Sequence, residues 1–399
     1  MQRKTNGIGR RTFLAGAGAA AVTIVKPSLV RGTEANSTIE LGMIGCGGRG
    51  KWIAERFLKN GKYKFVACAD YFQDQVDAFG EKFGVDASRR YDKLSGYKKL
   101  LEGKLDAVVI ESPPYAHPEQ AAAAVEAGKH VFTAKPIAVD VPGCLSIEES
   151  GKKATAKKLV FLIDFQTRAY SLYREAVKRV HAGECGRLIT GDAHYPTRGI
   201  FVKPYANPEE RLRNWYAHTD LGGNFIVEQS IHALDVATWI VNAAPIKAYG
   251  TGGHGKCRRV GDIWDHFNLI YHFPDDFILS FYCVQACAGA PDEIFCRVYG
   301  QHGTIETDYY GHVWIHGDKT YEGGTFKSVF EDGAIINIKE FYTAVTEGKC
   351  DNPTVVPSVR SNLTAVLGRT AAYKHGTVTW DELIKANERI EPDLKGLKA

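Results

Sequence analysis

A short apolar run, Leu41-Gly42-Met43-Ile44, ends on Gly45, and glycines recur at Gly47 and Gly50. An amphipathic segment follows with Trp52, Ile53, Phe57 and Leu58, and a second apolar run, Phe65 to Ala69, stops at Asp70. Strand, glycine turn, helix and strand in that order leave few folds open, because parallel strands need a crossover and the usual crossover is a helix. Each part also has a task when a dinucleotide binds. In Gly45-Cys46-Gly47-Gly48-Arg49-Gly50 the first glycine permits the tight turn and Gly47 lets backbone approach the pyrophosphate, while Gly50 brings helix close to strand. The helix start offers unpaired N–H groups to the phosphates. Asp70 accepts hydrogen bonds from the adenosine ribose, and its charge opposes a 2′-phosphate, so NAD is expected over NADP.

The same alternation continues. Leu41–Ile44, Phe65–Ala69, Ala107–Ile110, His130–Phe132 and Leu159–Ile163 read as buried parallel strands, with helical segments at 73–83, 92–102, 117–128 and 142–157 between them. This predicts an α/β, Rossmann-type doubly wound sheet over residues 37–166. From 167 to 399 the texture changes. Strand-like runs at 187–195, 246–251, 264–273, 276–285, 293–299 and 303–307, joined by Gly/Asp/Asn turns, predict an α+β domain with a mostly antiparallel open sheet. A helix near 358–374 is expected to pack back on the first domain.

Residues 1–32 read as an address. Arg10-Arg11-Thr12-Phe13-Leu14 precedes a mild Gly/Ala-rich apolar run, the twin-arginine export pattern, so a periplasmic location is expected. Cleavage after Gly32 or after Ala35 fits equally well. The segment holds six cations and no acid, so its removal turns a net charge of +4 into −2. The basic balance therefore belongs to the signal, and nucleic acid is not an expected partner. No apolar run is long enough to span a membrane. The nine cysteines are scattered, without CxxC or zinc-finger spacing. The basic run Lys256-Cys257-Arg258-Arg259 reads as a solvated loop.

Several segments together carry a family resemblance. They are the glycine turn, Glu111-Ser112-Pro113-Pro114 with His117, Ala134-Lys135-Pro136, Arg213-Asn214-Trp215-Tyr216, Gly222-Gly223 through Glu228 to His232-Ala233-Leu234-Asp235, Asp265-His266, and Leu367-Gly368-Arg369 with Trp380. Over nearly its whole length after the signal, the chain resembles the Gfo/Idh/MocA family (glucose-fructose oxidoreductase, inositol dehydrogenase), in its exported bacterial branch. Two departures stand out. The family usually has Glu-Lys-Pro where this chain has Ala134-Lys135-Pro136, and commonly Asp where it has Glu228.

The resemblance implies that Lys135 reaches the nicotinamide and the reacting hydroxyl, with a cis bond to Pro136. Ser112 and Pro113 are expected at the cofactor, and His117, after the third strand and the Pro113-Pro114 turn, is expected either to contact ribose or nicotinamide or to belong to a helix start. The Lys135 cation can stabilise alkoxide character as hydride leaves. Glu228 and His232 are four apart, so on a helix they share a face: His232 as base, Glu228 or alternatively Asp235 fixing its tautomer. No third metal ligand stands at supporting spacing, so no metal is expected. Arg168, Tyr195, Arg198, Arg213, Asn214, Trp215, Tyr216, Asp265 and His266 are substrate-side candidates, supplying the donors, acceptors and flat surface that a polyol needs.

The leading expectation is an exported NAD(H)-dependent oxidoreductase acting on a ring hydroxyl or ketone of a sugar, polyol or glycoside, with tightly held cofactor. A redox-neutral glycoside-cleaving enzyme using transient oxidation is a second reading, and a non-catalytic sugar- or nucleotide-binding protein a third. A homo-oligomer is expected through the open face of the second sheet.

Overall fold

The computed structural model describes residues 38–199, 203–255, 260–285 and 289–399. The expected export signal at 1–32 and the basic run 256–259 lie outside the described residues.

Six parallel strands form the first sheet: β1 (Ile39–Ile44), β2 (Tyr63–Ala69), β3 (Arg90–Tyr91), β4 (Ala107–Ile110), β5 (His130–Ala134) and β6 (Phe161–Asp164), in the order β3-β2-β1-β4-β5-β6. Helices cover both faces, which is why β4 is apolar and buried at every position. Phe57, Phe65 and Phe132 meet edge to face on one side of this sheet. The chain order reverses between β1 and β4, and a crevice opens at the carboxyl ends of those strands. Helix α1 (Gly48–Asn60) starts at that crevice. The segment expected as helix over 92–102 is helical only from Gly96, since Ser95 and the residues before it form a turn.

Among the described residues the second sheet has nine strands: β7 (Leu188–Thr197), β8 (Lys247–Gly253), β9 (His266–His272), β10 (Ile278–Gln285), β11 (Phe295–Gly300), β12 (Gly303–Asp308), β13 (His312–Gly317), β14 (Tyr321–Thr325) and β15 (Thr377–Thr379). Their order is β14-β13-β12-β11-β7-β10-β9-β8-β15, with only β7 and β10 parallel. β10 shows the alternation of a sheet covered on one side: Leu279, Phe281, Cys283 and Gln285 are buried, while Ile278, Ser280 and Tyr282 are exposed. The helices Ile231–Val241 and Val355–Tyr373 lie on the buried face. Val355–Tyr373 also packs on the helix Val141–Ala156. There Asn362 both accepts from Ile137 N–H and donates to Ala138 O, and Arg369 donates to Val139 O and Gly223 O. Apolar side chains from both sheets share one core, so Ile39–Ala399 is a single compact unit. The seven described cysteines are free, and no helix among the described residues is long and apolar enough to cross a membrane.

Candidate active site

The glycine turn is built around backbone proximity. Gly45 has φ +97°, and a Cβ there would stand 2.5 Å from the Glu111 backbone. A Cβ on Gly50 would come within 2.0 Å of the Gly45 carbonyl oxygen. Gly47 and Gly48 face open space, and Gly47 provides no side-chain cap to α1. The first N–H groups of α1 are thus left for a ligand, the arrangement a diphosphate needs. Asp70 Oδ2 accepts from Cys46 N–H at 2.7 Å and Oδ1 from Phe72 N–H at 3.0 Å. Burial pushes the Asp70 carboxyl up, and these two N–H groups oppose that rise. Cys46 contributes through its backbone: its thiol is buried, donates to Ala69 O, and is pushed well up by burial.

A cavity of about 360 Å³ lies on this turn, lined by Gly45, Gly47, Gly48, Asp70, Ser112 and Pro113, with Arg213 on its far side. A second, also about 360 Å³, is lined by Lys135, Glu228, His232, Arg49, Tyr195 and Tyr309, among others. The two share Glu111, Ser112 and Trp215. An open glycine cradle, the Asp70 carboxylate at the cavity wall and a second cavity sharing its lining fit a dinucleotide.

Lys135 follows β5, joined to Pro136 by a cis bond. Its Nζ donates to the Glu228 carbonyl at 2.7 Å and stands 3.6 Å from Glu228 Oε1. Burial lowers the Lys135 pKa, and Glu228 opposes this. His232 packs beside Phe165 and Tyr309, and its Nδ1 has no partner. Burial, then the Lys135 and Arg49 cations, hold it well below the usual histidine range. Glu228 and His232 share the cavity but not a helix. Phe225 O accepts from both Gln229 and Ser230, and His232 N–H bonds Gln229 O, which splits the segment into the helices Phe225–Glu228 and Ile231–Val241. Glu228 therefore turns to Lys135, leaving Glu228 Oε2 and His232 Nδ1 both without partners.

Asp235 is not the partner of His232 either. It is fully buried in a two-pronged ion pair with Arg168, whose Nε donates at 2.9 and 3.0 Å and Nη2 at 2.8 Å, and Ser361 Oγ donates to it at 2.7 Å. That pair removes Arg168 from the substrate side. His117 lines the second cavity, but its ring nitrogens are taken up by Pro136 O at 2.8 Å and Ser112 O at 2.6 Å, tying the β4 and β5 loops together. Burial pulls its pKa down to about 4.

Of the other substrate-side candidates, Tyr195 and Trp215 line the cleft. Arg213 stands at the nucleotide end, paired with Asp74 at 2.6 Å and stacked on Phe72. Asn214 caps its own turn through Glu210 O, and Tyr216 OH receives Gln285 Nε2. Asp265 accepts from Gly255 N–H and pairs with His266 at 2.8 Å, outside both cavities. Exposed Arg198 lines neither.

The structure adds residues that spacing did not single out. Glu111 directly follows β4 and Asp164 ends β6, both facing Arg49, and Gln166, Gln229, Tyr309, Tyr310 and Phe330 also line the second cavity. Arg49 Nη2 donates to Asp164 Oδ2 at 2.8 Å and its Nε stands 3.4 Å from Glu111 Oε2, while its guanidinium lies over Trp52 and Phe330. Burial drives the Glu111 carboxyl up to about 7, against the Arg49 cation. Glu111 carried a signal, an acid just past the carboxyl end of a central strand; the others come from four separate stretches, 164–166, 229, 309–310 and 330. Among the described residues no group of acids, histidines and cysteines has metal-binding geometry.

Residues 39–162 match the family described as the oxidoreductase family with NAD-binding Rossmann fold, and 173–306 match the GFO/IDH/MocA C-terminal domain. The chain is 24% identical over 334 residues to the NAD⁺-dependent scyllo-inositol 2-dehydrogenase of Bacillus subtilis (strain 168), covering 78% of this chain and 87% of that protein. It is 23% identical over 297 residues to the levoglucosan dehydrogenase of Pseudarthrobacter phenanthrenivorans, covering 68% and 74%. Among solved structures, a levoglucosan dehydrogenase in complex with NADH and L-sorbose superposes with a TM-score of 0.71 at 18% identity, over 87% of this chain and all of that one. The aldose-aldose oxidoreductase of Caulobacter crescentus superposes with a TM-score of 0.67 at 18% identity, over 86% and 99%. The chain thus belongs to the Gfo/Idh/MocA family of oxidoreductases, with an NAD-binding Rossmann domain leading into that family's C-terminal domain.

Proposed function

We propose that this protein is an NAD(H)-dependent dehydrogenase that interconverts a ring hydroxyl and ketone on an uncharged sugar, polyol or glycoside. One observation carries the reading: Lys135 and His232 line one cavity, which shares Glu111, Ser112 and Trp215 with the glycine-turn cavity. Inositol and levoglucosan dehydrogenases among the relatives support a polyhydroxylated ring. So do the aromatic walls Tyr195, Trp215 and Tyr309. An anionic substrate is disfavoured, because both cavity cations face carboxylates: Arg49 meets Asp164 and Glu111, and Lys135 meets Glu228.

The glycine turn, Asp70 and Ser112 would hold NAD with its reactive end toward Lys135, where it would supply the hydride acceptor for the carbinol carbon. His232, kept neutral at pH 7 by burial, takes the hydroxyl proton. Lys135 donates toward the oxygen as its negative charge grows. Glu228 positions Lys135 through its backbone carbonyl and its carboxylate. Lys135→Met is expected to lower turnover by about 10²-fold or more while NAD stays bound. Unchanged turnover in that variant sinks the assignment.

The paired Arg10-Arg11 support export of the folded chain to the periplasm. A cofactor loaded before export must be retained, which favours tight binding and a redox cycle closed by a second sugar. Self-association is proposed through the open face of the second sheet, where Tyr249, Ile278, Tyr282 and Tyr299 are exposed. A monomer by light scattering overturns that part.

A further inference from the structure

Three strand ends line up beneath Arg49. β4 pairs with β5 as Ile110↔Thr133, so Glu111 and Ala134 follow side by side, and β5 pairs with β6 as Ala134↔Asp164. All three line the second cavity. Ala134 thus stands between two acids, at the position where the family usually carries glutamate, and its short side chain leaves the gap between them to the Arg49 guanidinium.

The two acids differ in one respect. Asp164 is satisfied, accepting from Gln166 Nε2 at 2.7 Å, Asn337 Nδ2 at 2.8 Å and Arg49 Nη2 at 2.8 Å. Glu111 has a side chain with no exposed surface and only the Arg49 charge, 3.4 Å away at Nε, to offset it; neither of its oxygens accepts a hydrogen bond, and Arg49 Nη1 also has no hydrogen-bond partner. Orphaned buried polar atoms are costly, and in a binding cleft they mark what the ligand supplies. A dinucleotide lying along this cleft carries acceptors on its diphosphate and donors on its ribose hydroxyls. Asp70 already serves the ribose at the glycine-turn end, which leaves the ribose nearer Lys135.

We propose that Glu111 supplies from the end of β4 the carboxylate that position 134 lacks at the end of β5, accepting hydrogen bonds from the hydroxyls of the ribose nearest Lys135, while Arg49 Nη1 donates to the diphosphate. This rests on the reading of the cleft as the NAD site. It makes Glu111 a cofactor-binding residue, relocated by one strand.

Calorimetric titration of the nucleotide-stripped full chain with NAD and with AMP tests it, because AMP fills only the Asp70 end. Glu111→Ala is expected to raise the Kd for NAD about tenfold or more and to leave that for AMP within about twofold. The double variant E111A/A134E, which moves the carboxylate back by one strand, is expected to recover most of the lost NAD affinity. An E111A protein that binds NAD like the wild type, that loses AMP to the same degree, or that A134E does not rescue overturns the proposal. A wild-type chain that binds AMP but not NAD would instead overturn the functional reading on which it rests.

Discussion

The pair Arg168–Asp235 decides between two roles for residues that spacing alone places beside the chemistry. Asp235 has no exposed side-chain surface and Arg168 only 11%, and three N···O distances between them are 3.0 Å or less. Asp235→Ala leaves a buried guanidinium without its counter-charge, which costs about 3–5 kcal/mol. Unfolding entropy near 2.1 cal/mol/K per residue, taken over Ile39–Ala399, comes to about 0.8 kcal/mol/K, so Tm is expected to fall by about 4–7 °C. Differential scanning calorimetry reads the shift, and steady-state kinetics well below Tm read the chemistry. Turnover per folded molecule should stay within about threefold of wild type, because Asp235 is bonded to Arg168 and Ser361 and lines neither cavity. Replacing both partners by apolar groups of similar size, as in R168M/D235L, should recover most of the lost stability. A D235A protein with unchanged Tm and turnover reduced 100-fold refutes this reasoning and returns Asp235 to His232 as its chemical partner.

Other outcomes follow from groups lining the cleft. Glu111 titrates at about 7 when folded against an ordinary 4.5, so the stability it contributes is full below 4.5 and lost as pH rises through 7. The ligand-free Glu111→Gln variant should therefore gain on wild type between pH 5 and pH 8, by up to about 3 kcal/mol in denaturant titrations, and a gap that does not move with pH refutes it. Asp70→Ser removes the carboxylate that opposes a 2′-phosphate, so the ratio of NADP to NAD affinity should rise about tenfold or more; an unchanged ratio removes Asp70 from cofactor choice. Denaturing the purified exported protein should release close to one NAD per chain, whereas a nucleotide-free chain refutes the retained cofactor.

Much of the fold was legible because its signals are local. The glycine turn declares itself over six residues, since only glycine accepts φ +97° at Gly45 and the 2.0 Å approach at Gly50. Period-two alternation along β10 and unbroken apolar runs such as β4 separate a one-sided sheet from a two-sided one. The two-residue β3 and the short β15 carry too few positions for any period to show, and both are held by neighbours distant in sequence.

The site divides along the same line. From the sequence alone come the turn and Asp70, because their types and spacing constrain one another, whereas Lys135 before its proline and the pair Glu228 and His232 are marked out by the family resemblance. Tertiary structure decided who faces whom. The doubled acceptance at Phe225 O breaks the helix between Glu228 and His232, so Glu228 meets Lys135, 93 residues away, and not its neighbour four positions on. Asp235 is drawn to Arg168, 67 residues distant, and Arg49 to Asp164, 115 distant. Burial settles these pairings: a charge removed from water takes whichever opposite charge the packed elements bring within reach, and sequence spacing holds no record of that distance.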